Sequence, residues 1–505
     1  MMITLQDCLE LLDEHDLLVD STIVDKTQKI NYISYNSRDI NENTMFFCKG
    51  ISFKKEYLVD AIKDGVTSYI SETNYNLDID SIIVTNVQKA MSLISALYFD
   101  NPQDKLFIIA YTGTKGKTTS SYLTYTILEQ MNNQKTALFS TMDRVVGKEE
   151  GMKFKSDLTT PESLDLFRDM KRSVDNGMTH LVMEVSSQAY KKNRVYNLKY
   201  DVGIFLNISP DHIGKNEHPT FEDYLYCKKQ LMANSKACVI NRDTEYFDTV
   251  LKEAQKHVSS DNIYTYSQIE DSVDFKFIDR ETKPTKGQFD LVSKSAKASA
   301  MDINGDYIVN LPGVFNESNS TAAAIATSIA GASKNQIAQG LSTTVVPGRM
   351  EAIETRNHGY IYIDYAHNYA SMHALLGFAN SNHPDSKIIV IVGSTGDKGI
   401  SRREGFAKAL SENANVAILT TDDPGFEDPQ DICEEIDAKI DHNKVDTHII
   451  LDRIAAISRA IEISDNNSVV VIAGKGADPY QKINGVDTPY PTDSVVARTI
   501  LDEID

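Results

Sequence analysis

Short apolar runs alternate with stretches of helical spacing from about residue 105 to the C-terminus. The runs are LFIIA (106–110), THLVMEV (179–185), DVGIFLNI (201–208), KIIVIVG (387–393), NVAILTT (415–421) and SVVVIAG (468–474). Nearly continuous apolar runs are typical of strands that are buried on both faces of a sheet. Their alternation with helices predicts an α/β fold with parallel sheets. Functional side chains are expected beyond the carboxyl ends of these strands.

The chain has 505 residues, which is more than one hydrophobic core ordinarily supports and predicts about three domains. The segments FDNPQDKL (99–106) and STTVVPGRME (342–351) suggest the boundaries. The predicted domains are 1–101, 102–345 and 346–505. Residues 240–310 are rich in Asp, Lys and Ser with β-like alternation, which predicts a peripheral antiparallel patch.

The charge is strongly acidic, with 51 basic against 72 acidic residues and a formal net charge of −21. This balance argues against nonspecific binding of nucleic acid or of anionic membranes, so neither is an expected partner. An acidic protein that binds phosphorylated ligands needs local devices, such as loop amides, a few Lys or Arg side chains and Mg²⁺.

The five cysteines are widely scattered and form no CxxC motif, which indicates free thiols in a reducing compartment. The N-terminal segment lacks the basic and apolar regions of a signal peptide. No apolar run reaches the roughly 18 residues that a membrane span needs. The sequence therefore predicts a cytoplasmic protein.

The segment YTGTKGKTTS (111–120) joins an apolar run to a helical pattern and is typical of a phosphate-binding loop. Gly113 and Gly116 let the backbone fold around phosphate oxygens, while Lys117 supplies positive charge and Thr118 can place a hydroxyl on Mg²⁺. The two glycines are separated by two residues, whereas the widespread form of this loop has four. The alternative is a glycine turn capped by threonine.

Two further strand ends carry polar side chains that could face a metal. Glu184 lies at the end of the run 179–185, where its carboxylate could bind a metal or could cap a neighbouring helix. Asn207, Asp211 and His212 follow the run 201–208. The imidazole of His212 could face a metal, or could lie in a surface turn with its hydrogen bonds satisfied.

The segment HPTFEDYLYCKKQLMAN (218–234) predicts a helix that Thr220 caps. One narrow apolar stripe of this helix contains Phe221, Leu225, Lys228 and Met232. Lys229 points about 100° away, toward solvent. Burial and the charge of Lys229 would lower the pKa of Lys228, whose neutral amine could take up CO₂ as a carbamate and so become a metal ligand. From the periodicity alone, a lysine whose end reaches solvent is favoured.

Taken together, TGTKGKTT, MEVSS, NISPDH and HPTFEDYLYCKKQLM resemble the Mur ligase family, in its MurE branch, over nearly the whole chain. The resemblance implies a central P-loop ATPase domain with a parallel sheet, an N-terminal domain that binds a UDP-sugar, and a Rossmann-like C-terminal domain. It favours the carbamate (N6-carboxylysine) at Lys228. The implied metal ligands are Thr118, Glu184, His212 and carbamylated Lys228. The implied catalytic residues are Lys117, Glu184, His212 and Lys228.

The resemblance also implies which residues bind ATP. Lys115 stands where the family usually has Asn. The residues of the ATP loop are Gly113, Thr114, Lys115, Gly116, Lys117, Thr118 and Thr119. The segment LPGVFNESNSTAA places Asn316 and Asn319 near adenine, although both could also serve as helix caps. VPGRME and DYAH supply Arg349, Asp364 and His367 for the ribose and phosphates.

On the substrate side, YNSRDINENTMFFCKG resembles the Ser-Arg motif of the UDP-sugar domain, and DLTTPES (157–163) resembles the Thr-Thr-Pro of the MurE branch. Taken alone, Thr-Thr-Pro is also consistent with an extended turn. The resemblance implies UDP-N-acetylmuramoyl-L-alanyl-D-glutamate as a partner. The implied contacts are Ser37, Thr159, Thr160, Ser186, Gln188 and Arg194.

The segment DDPG (422–425) departs from the Asp-Asn-Pro-Arg of the diaminopimelate type, whose Arg binds the distal carboxylate. Loss of that Arg and gain of an acid favour L-lysine, then L-ornithine, over meso-diaminopimelate. Lys398 stands where the family usually has Arg, so Arg402 or Arg403 could assist it. Asp478 is the candidate for the α-amino contact. The expected amino-acid-binding residues are Lys398, Arg402, Asp422, Asp423, Pro424, Gly425, Gly474 and Asp478.

The implied reaction is ATP-dependent amide formation through an acyl phosphate, in peptidoglycan biosynthesis. Mg²⁺ is the expected metal, a monomer the expected state, and a closure step would exclude water. Two alternatives stay open at this point. One is a related ligase, such as folylpolyglutamate synthetase or another Mur branch. The other is a non-catalytic nucleotide-binding protein on a ligase scaffold.

Overall fold

The computed structural model describes residues 3–50, 53–211, 213–214, 217–280, 284–397 and 401–504. The described chain forms two compact units. Unit 1 comprises Met1–Lys276, Val292–Asn304 and Thr321–Gly340. Unit 2 comprises Phe277–Leu291, Gly305–Ser320 and Leu341–Asp505. The predicted boundaries at 101/102 and 345/346 stay predictions.

Helices and strands alternate along most of the chain. The helices are α1 (Leu5–Glu14), α2 (Lys55–Lys63), α3 (Val87–Tyr98), α4 (Lys117–Asn132), α5 (Ser163–Asp175), α6 (Ser187–Lys191), α7 (Phe221–Ala233), α8 (Phe247–His257), α9 (Ala296–Ser299), α10 (Val314–Ile329), α11 (Lys334–Thr343), α12 (Tyr369–Asn382), α13 (Ser401–Asn413), α14 (Pro429–Asp437), α15 (Arg453–Glu462) and α16 (Asp493–Ile504).

The strands are mostly short. They are β1 (Leu18–Ser21), β2 (Tyr32–Ser34), β3 (Thr44–Phe47), β4 (Val66–Ser71), β5 (Asp80–Val84), β6 (Phe107–Thr112), β7 (Thr136–Phe139), β8 (Asp143–Val145), β9 (Lys153–Lys155), β10 (His180–Glu184), β11 (Tyr200–Phe205), β12 (Ser235–Asn241), β13 (Ile263–Ser267), β14 (Phe275–Asp279), β15 (Gly287–Ser293), β16 (Gly305–Val309), β17 (Glu351–Glu354), β18 (Tyr360–Asp364), β19 (Lys387–Val392), β20 (Val416–Leu419), β21 (Asp446–Ile449), β22 (Ser468–Ala473), β23 (Tyr480–Ile483) and β24 (Val486–Pro489).

Unit 1 contains a small sheet and a large one. The small sheet has the strand order β1-β5-β4-β3-β2, with β1 antiparallel to β5 and the other pairs parallel. In the large sheet, β13, β12, β11, β6, β10 and β7 are neighbours in that order, and every pair is parallel. Because these strands are parallel, the ends of β6, β7, β10 and β11 meet at one edge of the sheet.

The interpretation of residues 240–310 as an antiparallel patch is wrong in part. β13 pairs in parallel with β12, and β14 begins in parallel with β13. β15 and β16 form an antiparallel pair, as expected. The alternating polar residues predicted antiparallel strands throughout, but the parallel sheet extends through β13 to the start of β14.

Unit 2 contains a sheet of strand order β17-β18-β22-β19-β20-β21, parallel except for the edge pair β17–β18. The inner strands β18, β19, β20 and β22 are buried on both faces, and the continuous apolar runs predicted this for β19, β20 and β22. One hydrophobic core contains residues of α12, α13 and α14, and another contains residues of α15 and α16. The ends of β18, β19, β20 and β22 meet at one edge. Among the described residues, none of the helices is both long enough and apolar enough to cross a bilayer.

Helix α11 packs closely against α4, the helix that follows the phosphate loop. A Cβ atom on Gly340 would lie 2.5 Å from Ile127 Cγ1 and 2.7 Å from Ile127 Cα. A Cβ on Gly377, inside α12, would meet no atom within 4 Å.

We expect Gly340→Ala to lower the free energy of unfolding by about 1–3 kcal/mol, because the added methyl group overlaps the backbone of α4. The matched Gly377→Ala variant should be neutral or more stable by about 0.5–1 kcal/mol, since alanine is the better helix former. Urea unfolding of both variants measures the difference. Equal stability of the two variants would contradict the close packing of α11 on α4.

Candidate active site

The phosphate loop of unit 1 runs from the end of β6 to the start of α4. Gly116 adopts φ 85°, in the left-handed region that glycine reaches without strain. Asn207, which follows β11, braces the loop from the side. Its Oδ1 accepts from Lys115 N at 2.9 Å, and its Nδ2 donates to Lys115 O at 3.0 Å. The loop conformation is therefore fixed by the neighbouring strand end.

Two lysine ammonium groups converge on one backbone carbonyl of this loop. Lys117 Nζ donates to Gly113 O at 2.8 Å, and Lys228 Nζ donates to the same oxygen at 2.7 Å. Lys228 is only 2% exposed. Burial, and then the charge of Lys117, hold the pKa of Lys228 well below the usual range of a lysine. Neutral Lys228 is the form that reacts with CO₂.

Helix α7 carries Lys228 as its periodicity predicted. Thr220 caps the helix by accepting from Asp223 N at 3.3 Å, and Lys228 lies on the buried face beside Met232. The prediction for Lys229 was wrong in one respect. Its ammonium pairs with Glu253 Oε2 of α8 at 3.4 Å and is 16% exposed, so it does not reach open solvent. The positive charge that lowers the pKa of Lys228 comes from Lys117.

Glu184 lies at the end of β10 beside the start of α4 and is 1% exposed. Its Oε1 accepts from Thr118 Oγ1 at 2.9 Å and from Thr141 N at 2.8 Å. Its Oε2 accepts from Thr141 Oγ1 at 3.0 Å. The structure thus brings the two predicted metal ligands Thr118 and Glu184 into direct contact, and adds Thr141, which the sequence analysis did not predict.

The donor set at this edge fits a hard cation. A threonine hydroxyl and a carboxylate are the oxygen ligands that Mg²⁺ prefers, and a carbamate on Lys228 would add two more oxygens. Negative charge at Asp211 opposes the downward shift in the pKa of Lys228, which places Asp211 near the same group. His212, the remaining predicted ligand, lies outside the described residues.

Residues predicted to contact the sugar and peptide lie next to Glu184. Thr159 Oγ1 is 3.0 Å from Thr141 Oγ1. Thr160 is fully buried, and its hydroxyl donates to Glu184 O at 3.1 Å and accepts from Ser186 N at 3.0 Å. Ser186 in turn caps α6. The side chain of Thr160 therefore joins two backbone segments of the site.

Gln188 and Arg194 differ in whether their side chains form hydrogen bonds within the protein. Both amide atoms of Gln188 are buried and have no hydrogen-bond partner within the described chain, so they are available to a ligand. Arg194 is 8% exposed, and its Nε donates to Glu162 Oε1 at 2.9 Å. Lys49 pairs with the other oxygen of Glu162 at 2.7 Å. Ser37, the remaining predicted contact, lies in a turn after β2.

A buried histidine that the sequence analysis did not single out connects α6 and α7. His218 is fully buried, with its Nδ1 2.6 Å from Asp223 Oδ2 and its Nε2 2.9 Å from Ser187 Oγ. Asp223 also accepts from Lys191 at 2.6 Å. Because both ring nitrogens are engaged inside the protein, His218 serves to hold α7 against α6.

In unit 2, residues predicted to bind ribose and phosphate surround the end of β18. Asp364 Oδ2 accepts from Met350 N at 2.8 Å. The Arg349 guanidinium lies 4.8 Å from the centroid of the Tyr365 ring, and its Nε is buried with no hydrogen-bond partner among the described residues. His367 Nδ1 is 3.0 Å from Tyr365 O. Arg349 thus retains a buried donor for a ligand.

The predicted adenine residues Asn316 and Asn319 lie in the first two turns of α10. Asn316 Nδ2 donates to Pro312 O at 2.8 Å, and Asn319 Nδ2 is 3.4 Å from Asn316 Oδ1. Between them, Glu317 is fully buried. Burial, and then the negative charge of Asp279, raise the pKa of Glu317 from 4.5 to about 8. Glu317 is therefore largely a neutral acid at pH 7.

Three carboxylates and one ammonium lie together at the ends of β20 and β22. Lys475 Nζ donates to Asp423 Oδ1 at 2.7 Å and to Asp478 Oδ2 at 3.0 Å, and the residue is 1% exposed. Asp422 is 7% exposed, and burial raises its pKa to about 6. Asp423 and Asp478 are thus already paired with a lysine of the protein, which the sequence analysis did not predict.

Two glycines of this pocket leave no room for a side chain. Gly425 adopts φ 64°, and a Cβ there would lie 2.1 Å from Asp397 Oδ2. Gly474 adopts φ 108°, and its Cβ would lie 2.4 Å from Asp422 Oδ2. Pro424 lies between Asp423 and Gly425 in the same loop. An arginine at position 425 would require both a strained backbone and a displaced Asp397.

The two arginines of α13 have different roles. Arg403 is 2% exposed and donates to Glu427 at 2.7 Å and to Glu435 at 2.6 Å, so it holds the loop after Gly425 and helix α14. Arg402 is half-buried and makes no hydrogen bond or ion pair in the part of the chain that the structure describes. Of the two, Arg402 is the one whose side chain is available to assist Lys398 in binding the amino acid. Lys398 lies outside the described residues.

Two family models match this chain. The model described as "Mur ligase middle domain" matches residues 111–327, and the model described as "Mur ligase, glutamate ligase domain" matches residues 348–476. The chain belongs to the Mur ligase family. The resemblance of the phosphate-loop and lysine motifs to this family is therefore confirmed.

Full-length relatives are close to this chain. A "UDP-N-acetylmuramyl-tripeptide synthetase" of Ligilactobacillus salivarius (strain UCC118) is 53% identical over 514 residues and is matched over 100% of both chains. A "UDP-N-acetylmuramoyl-L-alanyl-D-glutamate--L-lysine ligase" of Enterococcus faecalis (strain ATCC 700802 / V583) is 47% identical over 514 residues, with 99% of each chain covered.

The fold agrees with a solved Mur ligase. The structure of a UDP-N-acetylmuramoyl-L-alanyl-D-glutamate–2,6-diaminopimelate ligase matches with a TM-score of 0.71 and 26% identity, over 100% of this chain and 99% of that chain. The predicted α/β fold of the Mur ligases is confirmed.

We expect Lys228→Ala to lower ligase activity by about 100-fold or more, because it removes the only amine on α7 that can supply a buried carbamate to a metal. Small carboxylic acids added to this variant should restore part of the activity. The matched Lys229→Ala variant should stay within about 2-fold of the wild type, since it loses only the ion pair with Glu253, away from the phosphate loop. Ligase turnover with and without acetate measures both effects.

Carbon-13 bicarbonate provides an independent check on this prediction. The wild type should show a carbamate carbon signal that the Lys229→Ala variant keeps and the Lys228→Ala variant lacks. Full activity of the Lys228→Ala variant without added acid would contradict the carbamate.

We expect Glu317→Gln to stabilise the protein above pH 5. The unfolded chain releases the Glu317 proton above about pH 4.5, while the folded chain retains it up to about pH 8, so the carboxyl destabilises the fold increasingly across this window. The gain should be near zero at pH 4.5 and about 1–3 kcal/mol at pH 8. Thermal unfolding at both pH values measures it. The exposed Glu503→Gln change is the control, and a gain that is independent of pH would contradict the buried neutral acid.

Proposed function

We propose that this chain is an ATP-dependent amide ligase that joins L-lysine to the D-glutamate γ-carboxylate of UDP-N-acetylmuramoyl-L-alanyl-D-glutamate in peptidoglycan biosynthesis. The names of its full-length relatives support this activity. The observation that carries the proposal is the convergence of Lys117 and Lys228 on Gly113 O, beside the Thr118–Glu184 contact. A glycine turn without function would not bury a second lysine there.

The chemistry follows from the residues of unit 1. Phosphate oxygens of ATP would bind the loop amides, and Lys117 would shift from Gly113 O to the charge that gathers during transfer. Mg²⁺ held by Thr118, Glu184 and the Lys228 carbamate would neutralise phosphate charge. The γ-carboxylate attacks the γ-phosphorus, and the bond to ADP breaks. The amine of lysine then attacks the acyl carbon, and inorganic phosphate leaves with loss of a proton from nitrogen.

Charge in the pocket of unit 2 supports lysine as the incoming amino acid. Asp422, Asp423 and Asp478 lie near Lys475. Arg453 also acts on Asp422 but is paired with Asp493, so the four acids outnumber the two cations and the cluster keeps an excess of negative charge. A second ammonium suits this excess better than a second carboxylate. The conformation of Gly425 argues in the same direction, since an arginine there would require a strained backbone and a displaced Asp397 side chain. Ornithine stays the second candidate.

Other parts of the proposal rest on the sequence and the family. We assign the UDP-sugar contacts, the adenine contacts and His212 by the resemblance of their motifs. Three domains, a monomeric state and a cytoplasmic location belong to the same proposal.

The test is inorganic phosphate release by the full-length protein with ATP and Mg²⁺, UDP-N-acetylmuramoyl-dipeptide, and one amino acid at a time. We expect turnover that needs both co-substrates and a kcat/KM for lysine at least about 10-fold above those for ornithine and meso-diaminopimelate.

Each other outcome contradicts a different part of the proposal. Turnover with folate in place of the UDP-dipeptide would identify a related ligase. Nucleotide binding without any turnover would identify a non-catalytic protein. Preference for meso-diaminopimelate would reject the charge argument for the pocket while leaving the ligase activity in place.

A further inference from the structure

Thr141 connects the phosphate loop, which is predicted to bind ATP, with the Thr-Thr-Pro segment, which is predicted to bind the UDP-sugar substrate. Its hydroxyl lies 3.0 Å from Glu184 Oε2 and 3.0 Å from Thr159 Oγ1. Its backbone N–H donates to Glu184 Oε1 at 2.8 Å. Glu184 contacts Thr118 of the phosphate loop, whereas Thr159 belongs to the Thr-Thr-Pro segment.

The Thr141 hydroxyl is placed to donate both to Glu184 Oε2 and to Thr159 Oγ1, but it carries a single proton. Only one of the two oxygens can receive that proton at a time, so the three side chains form a short hydrogen-bond chain with Thr141 at its centre. A ligand that binds the Thr159 hydroxyl would change how well Thr159 accepts from Thr141, and so whether the Thr141 proton goes to Thr159 or to Glu184.

The backbone around Thr141 is fixed, so the chain depends on side-chain rotation. Thr141 follows β7 in a turn where Ser140 N donates to Asp143 O at 2.9 Å. Ser140 Oγ accepts from Met142 N at 3.2 Å and from Asp143 N at 3.0 Å. Thr141 itself is exposed, so a ligand can reach its hydroxyl.

We propose that Thr141 is a positioning residue that couples binding of the UDP-dipeptide at Thr159 to binding of the nucleotide phosphates at Thr118 and Glu184. This inference rests on the proposed function, because it needs both ligands to bind. Coupling is reciprocal, so each ligand changes the affinity of the other by the same factor. Thr141 does not take part in the bond-making steps.

The experiment is calorimetric titration of the full-length protein with UDP-N-acetylmuramoyl-dipeptide, alone and with saturating Mg²⁺ and a non-hydrolysable ATP analogue. In the wild type we expect the affinity for the UDP-dipeptide to differ by about 5-fold or more between the two titrations, without and with the nucleotide analogue. Thr141→Val keeps the side-chain shape and the backbone N–H but removes the hydroxyl. In this variant the two affinities for the UDP-dipeptide should agree within about 2-fold. Thr141→Ser keeps the hydroxyl and should keep the wild-type ratio. Thr249→Val, an exposed change on α8, is the matched control and should also keep it.

The outcomes separate this inference from the proposed function. A wild type that binds neither ligand would reject the proposed function. A wild type that binds both without coupling would overturn the role of Thr141, and so would a Thr141→Val variant with full coupling or a Thr141→Ser variant without it. If Thr141→Val does not fold, Thr159→Val removes the other end of the chain. Loss of coupling in that variant supports the inference, and retained coupling overturns it.

Discussion

Two lysines that share one carbonyl oxygen set the chemistry of unit 1. Gly113 O can accept from both Lys117 and Lys228, but two ammonium charges at hydrogen-bond distance from one atom repel each other. The fully buried lysine gives up its proton more readily, because it alone lacks solvent to support its charge. The loop therefore keeps Lys117 as a cation for phosphate and favours the neutral amine at Lys228. Carbamylation of that amine would turn the repulsion into an attraction.

Both units bring their polar side chains together in the same way, at the ends of parallel strands. In unit 1 the ends of β6, β7, β10 and β11 bring the loop, Thr141, Glu184 and Asn207 to one edge. In unit 2 the ends of β18, β20 and β22 do the same for Asp364, Asp422 and Gly474. The apolar interiors of the strands stabilise the folded state. The strand ends can therefore carry charged side chains even though these lower the stability of the fold.

Periodicity and local motifs account for what could be predicted from the sequence. The stripe on α7 placed Lys228 on the apolar face because helix geometry alone decides which face a residue takes, but it favoured an ammonium that reaches solvent, whereas the structure buries it. Burial is the larger cause of its lowered pKa, and the second cause, the charge of Lys117, depends on the adjacency of β6 and β11, which no local pattern contains. No local pattern predicts the position of Lys475 either, because its ammonium contacts Asp423, which lies 52 positions away in the chain. Thr141 stands in the unremarkable segment FSTMD, and only the placement of β7 beside β10 shows its contact with Glu184.

The acid-rich pocket of unit 2 needs Lys475 for a physical reason. Three carboxylates so close together would otherwise raise one another's pKa values until some became neutral, as burial already begins to do at Asp422. One buried ammonium binds Asp423 and Asp478 and fixes their orientation, since one oxygen of each accepts from the same Nζ. Because Lys475 and the Asp493-paired Arg453 do not balance the four acids, the pocket remains attractive to another cation. In the proposed ligase, selectivity for a diamino acid would then arise from the charge that the protein leaves uncompensated.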